Sequence, residues 1–100
     1  MTEIRAIDHL DPGGLIVRSG ELLARPVVEA LRSGGEVTVE LRGLGGVSSS
    51  YFNIFLRTVR DALGPGALGR VHVRSASPVQ MQVYDRSLSA LERDPVSQEP

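Results

Sequence analysis

The residues able to do chemistry are few, and most sit near one point of the chain. Three consecutive hydroxyls, Ser48-Ser49-Ser50, follow the glycine-rich run Gly43-Leu44-Gly45-Gly46. There is no Cys, and all 11 basic residues are Arg. That excludes disulfides, thiolate zinc sites, a cysteine nucleophile, a Schiff-base lysine and a phosphate-loop lysine. Ser50, His72 and Asp85 have the residue types of a hydrolytic triad, but the serine lacks the Gly-x-Ser-x-Gly setting of a nucleophile elbow. His9 and His72 have no acidic or His neighbours at metal-ligand spacing, so no metal site and no cofactor are expected.

The surroundings of the serines explain what they can do. Gly43 to Gly46 read as a tight strand-to-helix turn that needs positive φ, since the Gly-x-Gly-x-x-Gly pattern of a phosphate cradle is missing. Ser48 is a good helix cap, because the first backbone N–H groups of a helix need acceptors. A phosphate on Ser49 would add about −1.5 to −2 charges beside the positive end of the helix dipole. Phe52, Phe55, Leu56, Val59 and Leu63 recur at helical spacing and form the expected buried stripe. Tyr51 and Ile54 fall off that stripe on one side. They either pack under a neighbouring helix or anchor a partner.

The remaining elements must position this corner. One hundred residues, 41% of them hydrophobic, suffice for one domain, expected over 1–92, with a flexible tail over 93–100. The net charge of −1 gives no field for nucleic acid or a membrane surface. Arg42, Arg57, Arg60, Arg70 and Arg74 lack the interleaved aromatics of a nucleic-acid face and read as solvated surface. No apolar run is long enough to span a bilayer, and the first residues do not resemble a signal peptide. The expected location is cytoplasmic.

Glu3 to Leu10 read as a strand, Asp11-Pro12-Gly13-Gly14 as a turn, and Leu15-Ile16-Val17 as a second strand in a hairpin with the first. Ser19 then caps a helix carrying Leu22, Leu23, Val27, Ala30 and Leu31, with Pro26 either kinking it or marking its first turn, and with Gly34-Gly35 as its stop. Val37, Val39 and Leu41 alternate with polar residues in a strand, reached by a right-handed parallel crossover. After the serine-capped helix, Gly64-Pro65-Gly66 is a stop and Val71 to Arg74 a last strand. Ser77-Pro78 opens a final helix through Met81, Tyr84, Leu88 and Leu91. The fold class is α/β, a single small mixed β-sheet with helices mainly on one face, in the order ββαβαβα.

Across roughly 14–90 the chain resembles a STAS domain, the fold of bacterial anti-sigma factor antagonists. It is most similar to the STAS-like domain of unknown function found beside histidine-kinase-type ATPases. The family pattern is a strand reading Asp-Leu-Ser-Gly-Val, a short link, Asp-Ser-Ser-Gly-Leu and an apolar helix. Here Glu40-Leu41-Arg42-Gly43-Leu44, Gly45-Gly46-Val47 and Ser48-Ser49-Ser50-Tyr51-Phe52 align without a gap. Arg18-Ser19 sits where that branch carries an Arg before its first helix. Ser48 replaces the family's Asp, and Tyr51 replaces its Gly.

The resemblance implies a non-enzymatic regulatory module. It would dock a protein partner, of the histidine-kinase-type ATPase class, through Arg18, Ser48, Ser49, Ser50, Tyr51 and Ile54. Ser49 occupies the phosphoacceptor position, and the chain is expected to be a monomer or weak homodimer. Two other readings stand beside it: an assembly piece pairing through the hairpin's edge strand, and a small hydrolase or transferase working from Ser50 and His72.

Overall fold

The computed structural model describes residues 2–45 and 47–93. Three four-residue strands, β1 (Thr2–Arg5), β2 (Val37–Glu40) and β3 (Val71–Arg74), form one sheet in the order β1-β2-β3. Both pairings are parallel, with Ile4, Val39 and Val73 at one level. Helix α1 (Ile16–Arg32) connects β1 to β2, α2 (Ser49–Leu63) connects β2 to β3, and α3 (Pro78–Glu92) follows β3. The order is therefore βαβαβα in a parallel sheet, where the sequence pattern led to ββαβαβα and a mixed one. The expected tail beyond Arg93 lies outside the described residues.

The difference has a local cause. Leu15-Ile16-Val17 do not form a strand: Leu15 is the cap position of α1 and Ile16 and Val17 open it, and no hairpin exists among the described residues. The Asp11 main-chain carbonyl accepts the Gly14 N–H at 2.9 Å, and its carboxylate accepts the Leu15 N–H at 2.9 Å. Gly14 has φ +79°, so the Asp11–Gly14 turn delivers the chain into a helix and supplies one acceptor its first amides need. Ser19 is not the cap: it is buried in the helix and its Oγ accepts the Asp11 N–H at 2.9 Å. The first strand also ends early, because residues Ala6–His9 coil into a 3-10 turn. Pro26 lies inside α1, where it has no N–H to give the Leu22 carbonyl.

The other boundaries fall where cap chemistry puts them. Ser48 Oγ accepts the Tyr51 N–H, and Ser77 Oγ accepts the Gln80 N–H with Pro78 at the first helical position. Gly64, at φ +88°, ends α2. The Arg70 guanidinium donates to the carbonyls of Leu31 and Gly35 at 3.0 and 3.1 Å, tying the end of α1 to the start of β3.

A sheet whose strands add in one direction through right-handed crossovers carries its helices on one face. Helix α1 packs on α2, and α2 on α3. The core lies between them and the sheet: Leu23, Val27 and Leu31 of α1, Phe52, Phe55, Leu56 and Val59 of α2, and Val37 and Val39 of β2. The Phe52 ring meets the Tyr84 ring edge-on at 5.3 Å. Helices α1 and α2 approach closely at Gly20. A Cβ there would lie 3.0 Å from the Tyr51 carbonyl oxygen and 3.1 Å from Ile54 Cγ2.

The other sheet face carries charge. Parallel sheets normally have both faces covered and read as continuous apolar runs. Here Glu3, Arg5, Thr38, Glu40, His72 and Arg74 alternate with Ile4, Val37, Val39 and Val71, which are buried, and with Val73, which is partly so. Arg74 donates to Glu3 at 2.6 Å and to Glu40 at 3.1 Å, which bridges all three strands. Desolvation pushes the Glu40 pKa up, but the Arg74 hydrogen bond, the Arg42 N–H and both Arg charges outweigh it and hold the carboxyl below its ordinary value.

Two outcomes follow. Gly20→Val forces α1 off α2 and lowers stability by roughly 1–3 kcal/mol, read from the urea midpoint. Arg74→Gln removes the strongest downward pull on Glu40, so its carboxyl titrates higher by NMR. Because the native carboxyl is depressed, its contribution to stability is present above the ordinary carboxylate pKa and lost as pH falls through the depressed one. Arg74→Gln makes the acid limb of a stability profile shallower.

Candidate functional site

All three helices begin at the carboxyl ends of the strands, the end at which open α/β sheets form crevices. Between the first two helix starts lies a cleft of about 290 Å³. Its walls are Leu10, Asp11, Gly14, Ile16 and Ser19 on one side and Leu44, Gly45, Val47, Ser48 and Tyr51 on the other. The aliphatic surface continues outward. Leu15 is 65% exposed, Ile16 51% and Val17 52%, with Ile7 and Leu10 also exposed. Sequence reasoning missed this half of the site because it assigned Leu15, Ile16 and Val17 to a paired strand.

The expected site residues divide into three groups. Ser48 lines the cleft and caps α2 through Oγ. Ser49 and Ser50 are exposed on the first turn of α2, and Arg18 is exposed on the first turn of α1. Tyr51 and Ile54 are not free anchors. Tyr51 is 4% exposed and Ile54 half-buried, because close approach at Gly20 brings α1 across that side of α2. Tyr51 reaches the site only as part of the cleft wall.

The loop between β2 and α2 is held from two directions. Gly43 has φ +90°, and a Cβ there would sit 3.2 Å from Ile7 Cδ1. Gln80, in the first turn of α3, donates through Nε2 to the Gly45 carbonyl at 3.0 Å. Its Oε1 accepts the Ser75 hydroxyl at 2.6 Å, and Ser75 Oγ also accepts the Ser77 N–H. This amide fastens the corner to the loop after β3.

The triad candidates are apart in the fold. His72 stands on the open sheet face, with Nε2 2.7 Å from Glu36 Oε1. Ser50 opens α2 at the carboxyl end of the sheet, and Asp85 lies exposed on α3. The five arginines do not form one patch: Arg42 and Arg74 line a common cleft at the carboxyl ends of β2 and β3, together with Glu40, whereas Arg70 holds the end of α1. No helix among the described residues is long and apolar enough to cross a membrane. In comparisons with known proteins, no family model, no curated protein and no solved structure matches the chain.

The hydroxyls of Tyr51 and Tyr84 are buried without a hydrogen-bond partner among the described residues. Burial pushes both pKa values from 10.0 to about 12, helped at Tyr84 by Asp85 and Glu92. The unfolded chain ionises first, so this contribution to stability is full below pH 10 and is lost as pH rises through about 12. Tyr51→Phe should leave stability at neutral pH unchanged or higher, since it deletes an unpartnered polar atom. It should also reduce the loss in urea midpoint above pH 10.

Proposed function

We propose that the chain is a non-enzymatic regulatory module that docks a protein partner at the strand-to-α2 corner, as the anti-sigma factor antagonists it resembles do. The partner is a histidine-kinase-type ATPase, and Ser49 is the phosphoacceptor. One observation carries this reading: an open aliphatic cleft, continued by Leu15, Ile16 and Val17, lies beside solvent-facing hydroxyls on the first turn of α2. Exposed aliphatic surface rimmed by polar groups is what a protein partner covers.

The chemistry of the corner supports the same assignment. Ser48 supplies the helix cap that the family's Asp would supply, so the turn keeps its shape without the acid. A phosphate on Ser49 would stand next to the free amides of α2 and stay compatible with the fold. It would also place two negative charges, roughly, at the rim of an apolar contact and weaken docking there.

Ile16→Glu tests the surface without touching the core. In a pull-down from the native host, the leading captured protein should be an ATPase of this type, and Ile16→Glu and Ser49→Glu should each reduce its capture about tenfold or more. Incubating the captured kinase with ATP should phosphorylate the wild type but not Ser49→Ala. Equal capture by wild type and both charged variants rejects the corner as the docking surface.

A further inference from the structure

We propose that two copies of the chain pair antiparallel through β1, about a two-fold axis at Ile4, joining their sheets into one of six strands, three from each copy. This goes beyond partner docking and uses a different surface. The argument begins with backbone direction. Thr2 donates its N–H to the Glu36 carbonyl at 3.1 Å, and Thr2 and Ile4 lie beside Val37 and Val39 in a parallel ladder. In such a ladder alternate residues turn their N–H and C=O groups to the neighbouring strand. Those of Thr2 and Ile4 turn to β2, so those of Glu3 and Arg5 turn outward, at an edge no other described strand covers; the Arg5 carbonyl also caps the 3-10 turn and offers this edge its second lone pair.

Side-chain charge selects the same register as the backbone. With Ile4 opposite Ile4, Glu3 of each copy lies opposite Arg5 of the other. These are the residues whose outward groups exchange hydrogen bonds, and their side chains meet with opposite charge on the open face. The neighbouring registers that keep the faces aligned put Glu3 on Glu3 or Arg5 on Arg5, which repel. Slipping by one residue turns the charged face into the core.

The intrachain pairs extend the match. Arg74 holds Glu3 through Oε2, and Asp8 holds Arg5 through Nε and Nη2. Across the joint the charges alternate from Asp8 to Arg5, then to Glu3, Arg74 and Glu40 of the second copy. The opposite edge offers nothing comparable. On β3 the outward backbone groups belong to Val71 and Val73, and face-matched symmetric pairing stacks His72 on His72 or on Arg74. A charged edge strand ordinarily blocks edge-to-edge contact. Opposite charges flanking a central residue admit one partner, the same strand reversed.

Sedimentation velocity of the full chain over a concentration series tests this. The wild type should pass from 10.8 kDa to twice that mass. Glu3→Arg and Arg5→Glu should each weaken pairing about tenfold, and the combined Glu3→Arg/Arg5→Glu variant, which restores the pairs between copies but sets like charge against Arg74 and Asp8 within each copy, should recover part of it and pair more tightly than either single variant. Circular dichroism checks that each variant is folded. Amide exchange on the wild type gives an independent reading: the Glu3 and Arg5 N–H groups should gain protection as concentration rises. A monomer at every concentration overturns the proposal, as does a dimer indifferent to the single changes or no tighter in the double than in the singles. Species larger than a dimer also overturn it, since a β1-to-β3 contact does not close. If a single variant fails to fold, absence of concentration-dependent protection in the wild type overturns it. Every one of these results leaves the Ile16 and Ser49 tests untouched.

Discussion

The close approach of α1 to α2 at Gly20 is the constraint on which the rest depends. With hydrogen as its side chain, Gly20 lets the first turn of α2 lie against the second turn of α1, the Tyr51 carbonyl and Ile54 filling the space. That contact lays α1 along the side of α2 that carries Tyr51 and Ile54, where Tyr51 is buried. The cleft exists because the two helix starts are held this close while their leading loops diverge around it.

Below the helices, the sheet solves a problem of exposure. A three-stranded parallel sheet with helices on one face leaves the other to solvent. Alternation of Val and Ile with Glu, Arg, Thr and His meets that requirement strand by strand. Single exposed ion pairs contribute little, but Arg74 holds two carboxylates from two other strands, and a shared partner lowers the ordering cost of the second bond.

How much was legible in the sequence follows from the range of each interaction. Ser48, Ser77-Pro78 and Gly64 marked their boundaries correctly, because a cap is a contact between residues three or four apart. The alternation of β2 and β3 also placed the charged face. The Asp11–Gly14 turn was ambiguous. The same residues suit a hairpin or a helix entry, and the outcome rests on the Asp11 carboxylate reaching the Leu15 amide. Tyr51 was left open between packing under a neighbour and anchoring a partner for a longer-range reason: its own helix does not bury it, and nothing local announces that a glycine thirty-one positions earlier admits a neighbour. The serines of the corner were readable from spacing, whereas the opposite wall of the cleft was hidden behind the strand assignment.

Gln80 gives the corner a mechanical property. Its side-chain amide grips the carbonyl of Gly45 from the first turn of α3, while its oxygen is held by Ser75. A push on the glycine loop is therefore a pull on the third helix, transmitted through one rigid planar group rather than through the sheet. The two loops form a single lever, and its far arm is α3.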